Sequence, residues 1–162
     1  METEIHANKG WQHIGKIPEA GNLYADGSWS FNSNSGEACT CKSDGTGLQG
    51  NYYVQEIRKG DPKYPYSGDE ARVGQVIYRV GEQGLPEALD LRRHFAGGED
   101  VWMRINDLDS GLGDNKGSLK LRFCSARESA EYNQRMTLTN SYGDPIGTRY
   151  TRNAAGGYDK VR

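Results

Sequence analysis

The chain has 162 residues, 35% of them hydrophobic and 22 of them glycine, and its formal net charge is only −2. That length suits one domain with residues to spare. The weak net charge argues against nucleic acid or an acidic membrane surface as a partner, and no apolar run approaches the length of a membrane span.

Tyrosine, at 10, outnumbers phenylalanine and tryptophan together. Abundant Gly and Tyr with short apolar stretches favours an all-β fold over a helical one. The N-terminal METEIHANKGW lacks the basic-then-apolar profile of a secretory signal. The expectation is a chain cytoplasmic at synthesis with non-classical export, or a piece cut from a longer protein.

In chain order, residues 4–17 predict an extended segment with a turn at Asn8-Lys9-Gly10, and 18–21 predict another turn. Residues 22–31 alternate through Leu23, Ala25, Trp29 and Phe31. Trp11 and Trp29 are expected in the core. Residues 32–50 are rich in Ser, Asn and Gly and predict a surface loop. Residues 51–57 are strand-like, 59–70 form a loop, and 73–80 alternate as a strand. Residues 89–95 read as a strand or a short irregular run. Seven or eight short strands separated by turns suggest a sandwich. After Phe123 the pattern changes: 125–136 predict a short helix, and 148–152 can pair with 158–162 as a hairpin. The division is a β-sandwich over 4–125 and a C-terminal extension over 126–162.

The most informative stretch is 101–121. Val101, Met103 and Ile105 alternate with Trp102, Arg104 and Asn106, and a second alternation runs through Leu119, Leu121 and Phe123. Between them a short loop gathers Asn106, Asp107, Asp109, Asp114 and Asn115, with bends at Gly111 and Gly113. Hard oxygen ligands on one tight loop suit a calcium ion, whose charge relieves the repulsion among carboxylates. An EF-hand is excluded: counted from Asp107, Leu112 stands where that loop requires Gly, and Ser118 where it requires Glu. The residues by themselves leave two readings, a calcium loop and an acidic turn without metal.

Other chemistry is not signalled. Cys39, Cys41 and Cys124 are too few and too scattered for a disulfide scaffold or a zinc site, so free thiols are expected. His6, His13 and His94 sit in separate segments without a nucleophile motif, and Arg92-Arg93 beside His94 reads as a solvated face. No G-x-S-x-G, H-E-x-x-H or P-loop occurs, so no enzyme is expected.

Four segments together resemble the calcium-dependent galactophilic lectins of bacteria, the PA-IL type. They are 5–15 (IHANKGWQHIG), 26–30 (DGSWS), 73–81 (VGQVIYRVG) and 104–119, with RIND followed by GDNKGSL. The last carries most of the specificity, and the resemblance spans about residues 4–123. It implies a small jelly-roll-like antiparallel β-sandwich, usually oligomeric, whose calcium ion bridges protein and sugar. The metal ligands it implies are the side chains of Asp107, Asp114 and Asn115 and the carbonyls of Gly111 and Asn32. Asp114 stands where the galactose-specific prototype has Asn. The sugar would lie beside Asp107 and Asp114, against the loop holding Asp61, Tyr64 and Tyr66. Asp61 and Tyr64 occupy positions that are His and Gln in the prototype, so the resemblance implies a carbohydrate, a galactoside or another glycan, without fixing which. The alternative function is a calcium-stabilised structural or targeting module of a larger bacterial system, without a significant sugar site.

Overall fold

The computed structural model describes residues 1–48, 54–90, 92–131 and 149–161. It divides into two compact units, Met1–Ser125 and Ala126–Arg162. The fold is all-β, with antiparallel sheets and few short helical turns.

In the first unit, β1 (Glu4–His6), β9 (Ser118–Ser125) and β3 (Gly21–Asp26) form one sheet, in that order. A second sheet runs β2 (Gln12–Lys16), β8 (Asp100–Ile105), β6 (Val76–Val80) and β7 (Glu87–Ala88). A short ribbon pairs β4 (Ser28–Ser30) with β5 (Thr40–Lys42). All these pairings are antiparallel.

The period-two patterns do what a pleated strand requires: alternate residues point inward. Ile5, Leu23, Ala25, Leu119 and Leu121 of one sheet share a buried cluster with Ile14, Val76, Tyr78, Val101, Met103 and Ile105 of the other. Trp29 closes it, and its indole Nε1–H donates to the Gly74 carbonyl at 2.7 Å. Gly74 has φ of +93°, and a Cβ there would run into Cys41 Sγ and the Phe31 ring. This turn therefore needs glycine for space as well as for conformation.

Several expected boundaries move, each for a local reason. The 73–80 strand begins only at Val76, because the Val73–Gly74 turn intervenes. Among the described residues of the 89–95 stretch no strand forms; it is held by the bridge of Phe95 to Gly21 and by the Leu89 N–H, which donates to the Val76 carbonyl at 3.0 Å. Asp90 turns the chain there, its carboxylate accepting from the Arg92 N–H at 2.8 Å. The edge strand lies earlier instead, at Glu87–Ala88 against Tyr78 and Ile77. Of the 51–57 strand, residues 51–53 lie outside the described residues, and the rest is joined through the bridge Glu56–Arg72. The 32–50 loop contains a 3-10 helix, Ser33–Cys39, and β5. Trp11 is not in the core. It sits half-buried at the start of β2, with the Arg79 guanidinium 4.4 Å from its ring centroid.

In the second unit, residues 126–131 are helical and the remainder of the expected 125–136 helix lies outside the described residues. β10 (Tyr150–Arg152) and β11 (Tyr158–Lys160) form the expected hairpin. Among the described residues no helix is long and apolar enough to cross a membrane.

Candidate metal and ligand site

β8 and β9 are joined by residues 106–117, and this connection holds the candidate site. It makes one 3-10 helix, Asp109–Asp114. Its first support is Arg104, which stands on the outward side of β8 yet is 3% exposed. The guanidinium donates from Nε to the Ile105 carbonyl at 2.9 Å, from Nη2 to the Asp107 carbonyl at 3.0 Å and from Nη1 to the Asp109 carboxylate at 2.6 Å. One planar fork thus fixes the main chain on both sides of Asn106 and consumes Asp109. Asp109, expected among the loop's metal-facing oxygens, is an exposed partner of arginine instead.

Asn106 is also spent on the scaffold. It is fully buried; its Nδ2 donates to the Tyr66 carbonyl at 2.9 Å, to Gln75 Oε1 at 3.2 Å and to the Arg72 carbonyl at 3.3 Å. Its Oδ1 accepts from the Tyr66 N–H at 3.2 Å. The side chain pins the preceding loop to the end of β8. Its place in the alternation marks it only as polar and outward, which is why this role is not legible in sequence.

Asp107, Gly111, Asp114 and Asn115 come together. Asn115 Nδ2 donates to Asp107 Oδ2 and to the Ala7 carbonyl, both at 2.9 Å. Both partners are acceptors, so the amide must lie with its nitrogen inward and its oxygen turned away. That oxygen, Asn115 Oδ1, is buried with no hydrogen-bond partner, and so is Asp114 Oδ1. The other oxygen of Asp107 accepts from the Leu108 N–H at 2.8 Å. Gly111 backs onto the same carboxylate: a Cβ there would lie 3.5 Å from each Asp107 oxygen.

Electrostatically the pocket is short of positive charge. Burial pushes the Asp107 carboxyl above the ordinary carboxylate range; the hydrogen bonds from Asn115 and Leu108 pull it back, the Asp114 charge raises it further, and Arg104 offsets part of this. The donor set is oxygen throughout and holds two carboxylates. That composition fits a hard divalent cation such as calcium and not zinc. Among the described residues no three His, Cys, Asp or Glu side chains gather as a metal site; this loop has two carboxylates, an amide oxygen and carbonyls.

The remaining expected residues are placed as follows. Asn32 has extended backbone, and its side chain accepts from the Asn34 N–H to cap the 3-10 helix. Its carbonyl accepts from the Ser35 N–H at 3.1 Å, leaving one lone pair. The Ser30–Lys116 bridge runs antiparallel, so Asn32, two residues past it, lies on the side of Asp114. Asp61 accepts from the Lys63 N–H in a turn. Tyr64 is half-buried, and its hydroxyl is pushed above the usual phenol range by burial first and then by the charges of Asp107 and Asp61. Tyr64 is therefore within electrostatic reach of the pocket. Tyr66 is turned to other business. Its hydroxyl donates to the Asp69 carbonyl at 3.0 Å, and its ring lines a cavity of about 1070 Å³ whose lining includes none of Asp107, Asp114 and Asn115.

Comparison with models of known protein families and with curated proteins returns no match.

Proposed function

We propose that the first unit is a calcium-dependent carbohydrate-binding module of the lectin kind, not an enzyme, with the compact jelly-roll-like sandwich of the galactophilic lectins it resembles. The observation that carries this reading is the pair of orphaned buried oxygens, Asp114 Oδ1 and Asn115 Oδ1, beside the buried carboxylate of Asp107. A buried acceptor without a donor costs about 1–3 kcal/mol. A cation bound by these oxygens would offset that cost.

Asp107, Asp114 and Asn115 would hold the ion with their side chains, and Gly111 and Asn32 with their carbonyls. Calcium in that place supplies a coordination shell of six to eight oxygens, open on one side to two hydroxyls of a sugar. The protein groups do the rest. Arg104 holds the loop's main chain, Asn115 orients the Asp107 carboxylate, and Tyr64, within electrostatic reach of Asp107, would offer its ring face to a pyranose. A single sugar makes few contacts, so useful affinity calls for several copies of the chain acting together, as a homo-oligomer.

A second reading has its own support. Tyr66 faces a different cavity, and Asp61 is held in a turn by Lys63. A calcium-stabilised structural or targeting module would need neither residue at the ion. A glycan array probed in millimolar calcium and again in excess chelator separates the two. Calcium-dependent glycan binding lost in Asn115→Ala supports the lectin. Calcium-raised thermal stability with no glycan bound supports the second reading.

A further inference from the structure

The outer face of the four-stranded sheet carries a stacked row outside the loop site, touching it only where the Trp11 ring also lies 5.9 Å from the Arg104 guanidinium. His13, Trp102 and Arg79 stand side by side across β2, β8 and β6, in direct register. The His13 and Trp102 rings are 4.5 Å apart, and His13 Nε2 lies 2.6 Å from the Asp100 carboxylate. The Arg79 guanidinium lies over two indoles, 4.4 Å from the Trp11 centroid and, more loosely, 5.8 Å from that of Trp102. An arginine held this way is stabilised by the ring faces and is stiff in a way a solvent-exposed arginine is not.

Its edge is a different matter. Among the described residues the other arginines that are not exposed each have polar partners: Arg72 reaches Glu70 and the Asp44 carbonyl, Arg93 the Tyr78 hydroxyl and the His94 carbonyl, and Arg104 the Asp109 carboxylate. Among the described residues Arg79 has ring contacts and no acceptor. Its Nε and the neighbouring Trp102 Nε1 are both buried donors without a partner. The terminal Nη groups carry no hydrogen bond and are not among the buried ones, so that edge of the guanidinium meets solvent. The Asp100 carboxylate, the nearest acid on these strands, is engaged by His13.

We propose that Arg79, stacked on Trp11 and lying beside Trp102, is a receptor for a single oxyanion group, a carboxylate, sulfate or phosphate carried on a small ligand. A planar guanidinium fixed by stacking presents two parallel N–H bonds, which match two oxygens of such a group. The site does not use the Asp107 loop and needs no calcium.

The test uses the full chain in calcium-depleted buffer. Sodium sulfate, sodium acetate and sodium glucuronate are each titrated at ionic strength held constant with sodium chloride. The readouts are the Arg79 Nε–H signal in nitrogen-edited NMR spectra and tryptophan fluorescence. A saturable change with at least one of these anions, absent with chloride, is expected. Glucuronate saturating before acetate would identify a sugar-borne carboxylate as the source; sulfate saturating first would identify a sulfate or phosphate ester. Arg79→Gln should lose the response, and Arg79→Lys, which keeps the charge but not the fork, should weaken it about tenfold. A thermal melt of each variant establishes that it is folded. The proposal is overturned if no anion gives a saturable response, or if folded Arg79→Gln responds like the wild type. Loss of calcium binding in the Asp107 loop would leave this result untouched, so the two ideas fail separately.

Discussion

Two buried asparagines nine positions apart make opposite use of the same amide. Asn106 spends both ends: its nitrogen reaches three acceptors, and its oxygen takes the Tyr66 N–H. Asn115 spends only its nitrogen, on Ala7 and Asp107, and leaves its oxygen buried and unmatched. A saturated amide is a fastener. An amide with one unmatched buried end beside two carboxylates is left unsatisfied, and under the proposed function that end is where the cation binds. The residue type is identical and both are buried, so only the accounting of partners separates scaffold from site.

The largest expected effect tests the fastener. Asn106→Ala would strand the Tyr66 and Gln75 groups inside the fold and should cost about 3 kcal/mol of stability by urea unfolding, with or without calcium. A cost that disappears when calcium is added would break the contrast, because Asn106 would then belong to the ion. Next comes the site itself. Calcium at a hundred times its dissociation constant should stabilise the native state by about 2.7 kcal/mol, roughly 5–15 °C in melting temperature. The double change Asp107→Asn with Asp114→Asn should abolish that rise.

Cys41 gives an independent view of the Asn106 side. It packs under Gly74, whose N–H donates to the Asn106 carbonyl at 2.9 Å. Burial pushes its thiol up to about 12. The raised value means the native state keeps the proton that the unfolded chain releases from pH 9 upward. The stability is therefore full below pH 9 and is lost as pH rises through 12, with a slope of at most about 1.4 kcal/mol per pH unit. Cys41→Ala should flatten that fall. At pH 8 a thiol reagent should modify Cys39 and Cys124 and spare Cys41, both with calcium and without it.

The smallest effect is the most pointed in sign. In calcium-depleted buffer Asp114→Asn removes like charge from beside Asp107 without breaking a hydrogen bond of the orphaned oxygen. It should leave stability unchanged or raise it by less than about 1 kcal/mol, while weakening calcium binding. A loss of stability there would mean that Asp114 is structural.

Much of this architecture is written in the alternation of side chains. Trp29, Val76, Tyr78, Met103, Ile105, Leu119 and Leu121 are inward by period two and are all in the core. The hairpin of 150–160 is equally legible, from its turn residues. Polar partnership is not. Nothing in the spacing says that Asp109 belongs to Arg104 or that Asn106 belongs to Tyr66, since those bonds join residues through the fold and not along a strand. Trp11 misleads for a related reason: an aromatic residue at a strand end reads as core, yet the arginine two strands away gives it a surface role. The strand at Glu87–Ala88 is too short to show any period.

The side-chain amide of Asn115 tests the central claim most directly. In nitrogen-edited NMR spectra of calcium-depleted protein, titrated with calcium, its Nδ2 protons should shift saturably at one ion per chain, while those of Asn106 stay nearly still. If neither amide moves, or if Asn106 moves and Asn115 does not, the unmatched oxygen at Asn115 is not a calcium ligand and the account is wrong.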